Sequence, residues 1–297
     1  MLMTVNKPPV CDYEGSDYQS SFWDAGEREY EDQVEALALH RLLPRSGAHL
    51  LEIGAGAGRN TPRYQGFQKI VLVDYSSTQL EQAQVNLGRS DRYTYVAADV
   101  YQLPFQPGVF DAATMIRTLH HMAEPQLALQ QVRYALQPGA IFILEYANKH
   151  NLKAMLRYAV GRQTWSPFTP ESVEFTELNF DFHPKAIQEW LQNCGFSINR
   201  QLTVSHFRMD FIKRMLPLDL LVKMDGFAQL TGNWWQLTPS VFVSTSARGD
   251  TPIAPPGALF RCLICSHSDF ETTTTALNCR SCGHAWRSEN GIYDFRI

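Results

Sequence analysis

The 297-residue sequence lacks a basic surplus: 26 Lys and Arg stand against 30 Asp and Glu, a formal charge of −4. Nucleic-acid binders usually show the opposite balance, so nucleic acid is the less favoured partner, reachable only through a local basic patch. Long apolar runs are missing too. The best, Ala140 to Leu144, is a buried strand at most, far short of the roughly 20 residues that span a bilayer. Met1 to Val10 has no apolar core of the signal-peptide kind, which points to the cytoplasm. Cysteine is scarce over most of the chain. Cys11 and Cys194 are isolated, and the other four form two CxxC pairs near the C-terminus. Without an export signal, such pairs favour metal binding over disulfides. There is no internal repeat or long low-complexity tract. With 44% hydrophobic and 19% charged residues, the chain reads as a globular protein, long enough for one α/β domain and a small appendage.

Residues 1–27 read as an irregular arm rich in Pro, Asp, Ser and Tyr. From Arg28 to Leu43, apolar residues recur at helical spacing until Pro44 and Gly47 punctuate the pattern. Alternating units follow: strands at His49–Ile53, Ile70–Val73, Tyr93–Ala98, Val109–Ile116 and Ala140–Glu145, and helices at Ser77–Leu87 and Pro125–Leu136. Gly88 stops the first helix, and Pro138-Gly139 is read as ending the second. This rhythm predicts an α/β fold: a Rossmann-like, seven-stranded, mostly parallel sheet with helices on both faces. The domain is expected over 28–246, closing with strands at Phe196–Phe207 and Ser240–Ser246. Residues 151–236 are assigned to inserted helices forming a substrate cap, 247–257 to a Pro/Gly linker, and 258–297 to a separate unit.

Glu52-Ile53-Gly54-Ala55-Gly56-Ala57-Gly58 follows the first strand and opens toward a helix. That context gives the glycines meaning, because they permit a tight turn and let backbone approach a ligand. Asp74 ends the second strand, with Tyr75 beside it, where a nucleotide-binding sheet puts the carboxylate that receives ribose hydroxyls. Asp99-Val100 ends the third and offers an acceptor for an adenine amino group. A dinucleotide-dependent dehydrogenase competes for this pattern. Its fingerprint, however, is Gly-x-Gly-x-x-Gly over a pyrophosphate, and an acid two residues before the first glycine better suits an ammonium-bearing ligand.

Glu52-x-Gly54-x-Gly56-x-Gly58 resembles the first motif of class I S-adenosylmethionine-dependent methyltransferases, and Asp74 and Asp99 fall where that family keeps its ribose and adenine acids. Leu119-His120-His121-Met122 and Leu136-Gln137-Pro138-Gly139 resemble segments of the subgroup that methylates quinones, sterols and other small molecules. The resemblance covers roughly residues 28–246. It implies that the Gly54–Gly58 backbone packs against the methionine part of S-adenosylmethionine, with Glu52 orienting the turn or holding the cofactor's amino group through water. It also implies a lid from the N-terminal cluster Tyr18, Phe22, Trp23, Arg28, Tyr30 and Glu31, although Trp23 and Tyr30 equally suit a helix face packed on the core.

Methyl transfer is an in-line displacement governed by positioning and exclusion of water. A base is needed only where the acceptor loses a proton. His120 and His121 are the candidates, against the plainer reading that one caps a helix and the other packs beneath it. Arg117 is read either as leaning on the cofactor carboxylate or as solvated. The Asn/Asp-Pro-Pro-Tyr/Phe signature of adenine and amide methylation is missing, so a small-molecule oxygen or carbon is the expected acceptor. Aromatics between Trp165 and Phe182, with Trp234 and Trp235, fit either a pocket wall or core.

Cys262, Cys265, Cys279 and Cys282 have the spacing of a four-thiolate zinc site, and a closed thiolate shell is structural rather than catalytic. A redox dithiol pair or an iron site is the alternative. The segment resembles the small zinc-ribbon proteins that bind and activate tRNA and protein methyltransferases. That implies a fused stabilising or substrate-presenting module and leaves room for a protein partner through the ribbon. Its arginines are balanced by acids, so no strong RNA footprint is visible. Two rivals stand beside small-molecule methylation: an RNA or protein methyltransferase that docks substrate on the ribbon, and a non-catalytic scaffold that keeps the cofactor fold.

Overall fold

The computed structural model describes residues 7–15, 28–88 and 90–297. Of the expected N-terminal lid, Tyr18, Phe22 and Trp23 lie outside those residues. Helix α1 (Glu29–Leu42) buries the stripe Tyr30, Val34, Ala38, Leu39 and Leu42. Then come β1 (Gly47–Ile53), β2 (Phe67–Asp74), α2 (Ser77–Leu87), β3 (Tyr93–Ala97), β4 (Phe110–Met115), α3 (Pro125–Ala135) and β5 (Leu136–Ala147). After β5 the chain forms α4 (Leu152–Ala159), the hairpin β6 (Val173–Thr176) and β7 (Asn179–Asp181), α5 (Pro184–Asn193) and β8 (Phe196–Val204). Helices α6 (Asp210–Met215) and α7 (Leu218–Ala228) precede β9 (Ser240–Ala247). Four short strands finish the chain: β10 (Phe270–Thr272), β11 (Ala276–Cys279), β12 (Ala285–Glu289) and β13 (Ile292–Asp294).

The strand order is β10-β11-β12-β13-β3-β2-β1-β4-β5-β9-β8. Strands β1 to β5 pair in parallel, and β9 runs antiparallel between β5 and β8. These seven are the Rossmann-like sheet read from the sequence. Its strands are almost continuously apolar because both faces are covered. Leu51, Ile53, Val71 and Val73 point to the face packed by α3 and α5, while Leu50, Ile70 and Leu72 point to the face packed by α2. The order reverses between β1 and β4, which opens a crevice at the carboxyl ends of the strands.

Several elements depart from the sequence reading. Pro138 and Gly139 do not end α3; they lie inside β5, where the β4 register shifts between Phe110 and Ala112. The helical stretch from Asp210 is interrupted at Pro217, which starts a second helix. Within 151–236, β8 belongs to the main sheet and α5 packs on its face, so only the segments around α4, the β6–β7 hairpin, α6 and α7 lie over its edge. Residues 247–257 pack along the loop before β4: Ala254 N–H donates to Pro107 O (3.1 Å) and Arg133 Nη1 to Thr251 Oγ1 (2.7 Å). The expected separate unit is joined to the sheet as well. β13 pairs in parallel with β3, Ile292 opposite Tyr95 and Asp294 opposite Ala97. Below it, Phe260 lies over Phe105 and Phe295 against Trp286, extending one continuous apolar core into the C-terminal strands.

Candidate functional site

The crevice at the switch point, a cavity of about 120 Å³, is lined by Gly54, Gly56, Asp74, Tyr75, Arg117 and His121 among others. Gly54 turns the chain at φ +66, and a Cβ there would overlap the Thr118 side chain. Only glycine fits. Thr118 in turn donates its hydroxyl to Ile53 O (3.3 Å), so the ends of β1 and β4 hold each other. Asp74 accepts from Gly56 N–H (2.9 Å) and Ser76 N–H (3.0 Å), which fixes its carboxylate across the mouth of the turn. Burial raises its pKa, opposed by those backbone donors. Asp99 accepts from Tyr101 N–H (2.9 Å), and its other oxygen lies 3.0 Å from Lys7 Nζ.

The predicted residues therefore divide. Gly54, Gly56, Asp74, Tyr75, Val100, Arg117 and His121 meet in the crevice; Asp99 lies buried behind Val100. Glu52 does not line it. Its carboxylate accepts from Thr61 Oγ1 (2.6 Å) beneath the turn, and burial pushes its pKa up to about 7. Ala55 and Gly58 are also outside the lining. Ala55 hydrogen-bonds back to Val73, and Gly58 gives Leu87 of α2 close approach. The Arg117 guanidinium faces Glu35 of α1, which Arg59 also binds (2.9 Å). Burial alone would raise the Glu35 pKa; Arg117 and Arg59 bring it below the ordinary value.

The two histidines part company. His120 is buried off the crevice, and burial, His121 and Arg117 keep its imidazole neutral. His121 faces the crevice. Its Nδ1 lies 3.0 Å from Leu178 O, a pure acceptor, so Nδ1 carries the proton. Nε2 then accepts from Tyr13 Oη at 3.0 Å. Burial lowers the His121 pKa, and the bond to Leu178 O partly offsets this.

Tyr13 was not foreseen, nor were the other crevice residues of the 7–15 segment, Val10 and Cys11. The segment crosses the crevice and is pinned at both ends. Glu14 accepts from the Ser77 and Thr78 N–H groups at the start of α2 (2.9 and 3.1 Å). Lys7 reaches Ile297 O (3.1 Å). From the other direction, Arg296 donates to Tyr75 O (3.0 Å), pairs with Asp294 (2.7 Å) and lies 3.4 Å from Glu14. No local pattern marks these residues; parallel pairing of β13 brings them to the same sheet edge as Asp74. By contrast Tyr30, read as lid or core, is core: its hydroxyl donates to Asp225 of α7 (2.6 Å).

The four C-terminal sulfurs lie within 4.8 Å of one another, with Cys262–Cys282 at 3.7 Å and Cys265–Cys279 at 3.5 Å. A tetrahedral zinc with bonds of about 2.3 Å implies sulfur separations of about 3.8 Å, so the set fits. Two knuckles shape it: Ser266 N–H donates to Cys262 O and Gly283 N–H to Cys279 O, each at 2.8 Å.

Residues 51–144 match the profile of a family described as "Methyltransferase domain". Among curated proteins, the chain is 32% identical over 167 residues to an O-methyltransferase, cnsE, of Penicillium expansum, covering 53% of this chain and 55% of that one. It is 27% identical over 162 residues to a demethylmenaquinone methyltransferase of Clavibacter sepedonicus, covering 54% and 66%. The match thus spans between about half and two thirds of these relatives. Among solved structures, it is similar to one described as a complex between the Haloferax volcanii Trm112 methyltransferase activator and the putative methyltransferase (TM-score 0.56, 14% identity, 78% of this chain and 96% of that one). A methyltransferase from Mesorhizobium loti gives a TM-score of 0.53 at 21% identity, over 72% and 97%. At these identities the structural likeness speaks to fold. Residues 51–144 thus match a methyltransferase domain, and the fold around them is the Rossmann-like one of solved methyltransferases.

Proposed function

We propose that the chain transfers a methyl group from S-adenosylmethionine to an oxygen or carbon of a small-molecule acceptor, and that its C-terminal cysteines hold a structural zinc. The observation that carries the reading is the convergence of Gly54, Gly56, Asp74, Arg117 and His121 on one crevice. The small-molecule relatives support the acceptor class.

In this reading the Gly54–Gly56 backbone lies against the methionine part of the cofactor, and Asp74 takes its ribose hydroxyls with lone pairs left over from the two backbone donors. Val100 and Met122 wall the adenine side. When bound, the cofactor supplies an electrophilic methyl on a sulfonium. Arg117 is committed to Glu35, so its part is to tie α1 to the crevice rather than to neutralise a ligand. His121 is the candidate base, in preference to His120. Leu178 O holds its Nδ1 proton, leaving Nε2 to take the proton of Tyr13 as Tyr13 takes one from an acceptor hydroxyl. The 7–15 segment and the β6–β7 hairpin, both bonded to His121, keep water from the crevice.

The Haloferax neighbour pairs a methyltransferase with a separate activator. Here we assign a stabilising role to a segment of the same chain. The ribbon's β13 is already used in the sheet, which supports edge cover over substrate docking.

Calorimetry with S-adenosylhomocysteine tests the reading. Wild type should bind, and Asp74→Ala should bind about a hundredfold more weakly, the cost of about 2–3 kcal/mol for a lost charged acceptor. Absence of wild-type binding would refute it.

A further inference from the structure

The described exposed large hydrophobics are unevenly spread: sixteen of twenty-two lie between residues 152 and 237. On α4, Leu152 and Leu156 continue to Val160 at four-residue spacing, all exposed, while Lys153 and Arg157 run alongside at the same spacing. An apolar stripe bordered by cations on a solvent-facing helix is the pattern of a helix lying in a lipid interface. The start of α4 is bonded to the Trp234-Trp235 segment, Leu152 N–H donating to Leu237 O (2.9 Å) and Asn148 Nδ2 to Gln236 O (2.9 Å). Trp234 is 76% exposed, and Phe227, seven residues before it near the end of α7, is 78% exposed. Phe211 and Met215 on α6 add to the same part of the chain.

Charge selects the occupant. Residues 152–163 and 207–237 together carry seven cations, Lys153, Arg157, Arg162, Arg208, Lys213, Arg214 and Lys223, against three carboxylates, in a chain whose net charge is −4; Arg208 and Lys213 are paired with Glu31 of α1, which leaves Lys153, Arg157, Arg162, Arg214 and Lys223 to set the surplus. One of those carboxylates, Asp225, is buried and taken up by Tyr30 and Gln229. Adjacent exposed tryptophans, tied to the start of a helix that carries Lys153 and Arg157, match the headgroup region of a bilayer, where amphipathic rings and snorkelling cations both settle. A protein partner would usually ask for one compact patch rather than apolar groups dispersed among cations.

We propose that the face formed by α4, α6, α7 and Trp234-Trp235 docks on an anionic lipid surface. It lies beside the β6–β7 hairpin, whose Leu178 touches His121, so a bilayer-soluble acceptor would reach the crevice without crossing open water. That last step rests on the methyltransferase reading; the docking itself does not.

Full-length protein is mixed with vesicles of phosphatidylcholine and phosphatidylglycerol in equal amounts, or of phosphatidylcholine alone, and sedimented. Wild type should pellet with the anionic vesicles, with tryptophan emission shifted to the blue, and bind phosphatidylcholine at least about fivefold more weakly. Trp234→Ser with Trp235→Ser should reduce binding by about tenfold or more. Arg157→Gln should cost about fivefold, as one cation lost near the surface. Each variant is checked for unchanged S-adenosylhomocysteine binding by calorimetry, which separates this result from failure of the cofactor reading. Wild type that stays in the supernatant with both vesicles overturns the proposal. So does a concentration-dependent dimer that shields Trp234 and Trp235 from quencher, which would make a second copy the occupant.

Discussion

At the β3 edge of the sheet, four short strands and a cluster of aromatic rings close the structure; at the β8 edge, helices and a Trp-Trp segment cover it while leaving apolar side chains in solvent. The contrast is sharpest between tryptophans. Trp286 is 3% exposed and stacked near Phe295, whereas Trp234 is 76% exposed. Both flanks bury aromatics, Phe196 and Phe242 at the β8 side included, yet only the β8 flank also leaves tryptophans in solvent. An unpaired strand edge is a standing hazard of self-association, and β3 is relieved of it by β13. The other flank faces outward because its apolar groups have a partner beyond the chain, under the lipid-surface proposal.

The largest expected effect falls on the closed flank. Chelation, or Cys279→Ser, should unfold β10 to β13, uncover β3 and Phe105, and lower Tm by about 10 °C or more by calorimetry. An unchanged Tm would mean that the ribbon stands without metal. The tryptophans give the next test. Trp286→Ala should cost about 3–5 kcal/mol in denaturant unfolding, and Trp234→Ala no more than about 0.5 kcal/mol. Equal losses would erase the distinction between core and surface use.

The middle of the sheet offers a control. Burial raises the Glu52 pKa to about 7, so the folded state holds a proton there that the unfolded chain releases near pH 4.5. The associated stability is fully present below pH 4.5 and is lost as pH rises through 7. Glu52→Gln should flatten that decline and gain about 2 kcal/mol at pH 8, in unfolding curves recorded across the range. The smallest effect is expected at Arg296. Arg296→Ala should weaken S-adenosylhomocysteine binding by about fivefold while shifting Tm by less than about 2 °C, because the side chain is partly exposed and acts on Tyr75 and Glu14 rather than on the core.

What the sequence makes legible is local. Gly54 and Gly56 followed by Asp74 and Asp99 at strand ends, and cysteines two residues apart, announce themselves by spacing. The seven-stranded sheet follows from alternation of apolar runs. Tyr13 and Arg296 have no such signature: each matters because a distant segment folds against it. Pro138-Gly139 reads as a helix stop because both residues disfavour helix, yet the register shift in β5 accommodates them in a strand. The independence expected of residues 258–297 failed for a related reason. A three-residue parallel pairing such as β13 with β3 leaves almost no trace in composition.

That pairing also has a bearing on time. About two thirds of the sequence separates Tyr95 from Ile292, and contacts between residues so far apart in sequence form late and slowly. During synthesis β3 must wait, unpaired on one side, until β13 emerges. The protein's vulnerable interval therefore comes before β13 appears, and its yield should depend on how long translation takes to supply that strand.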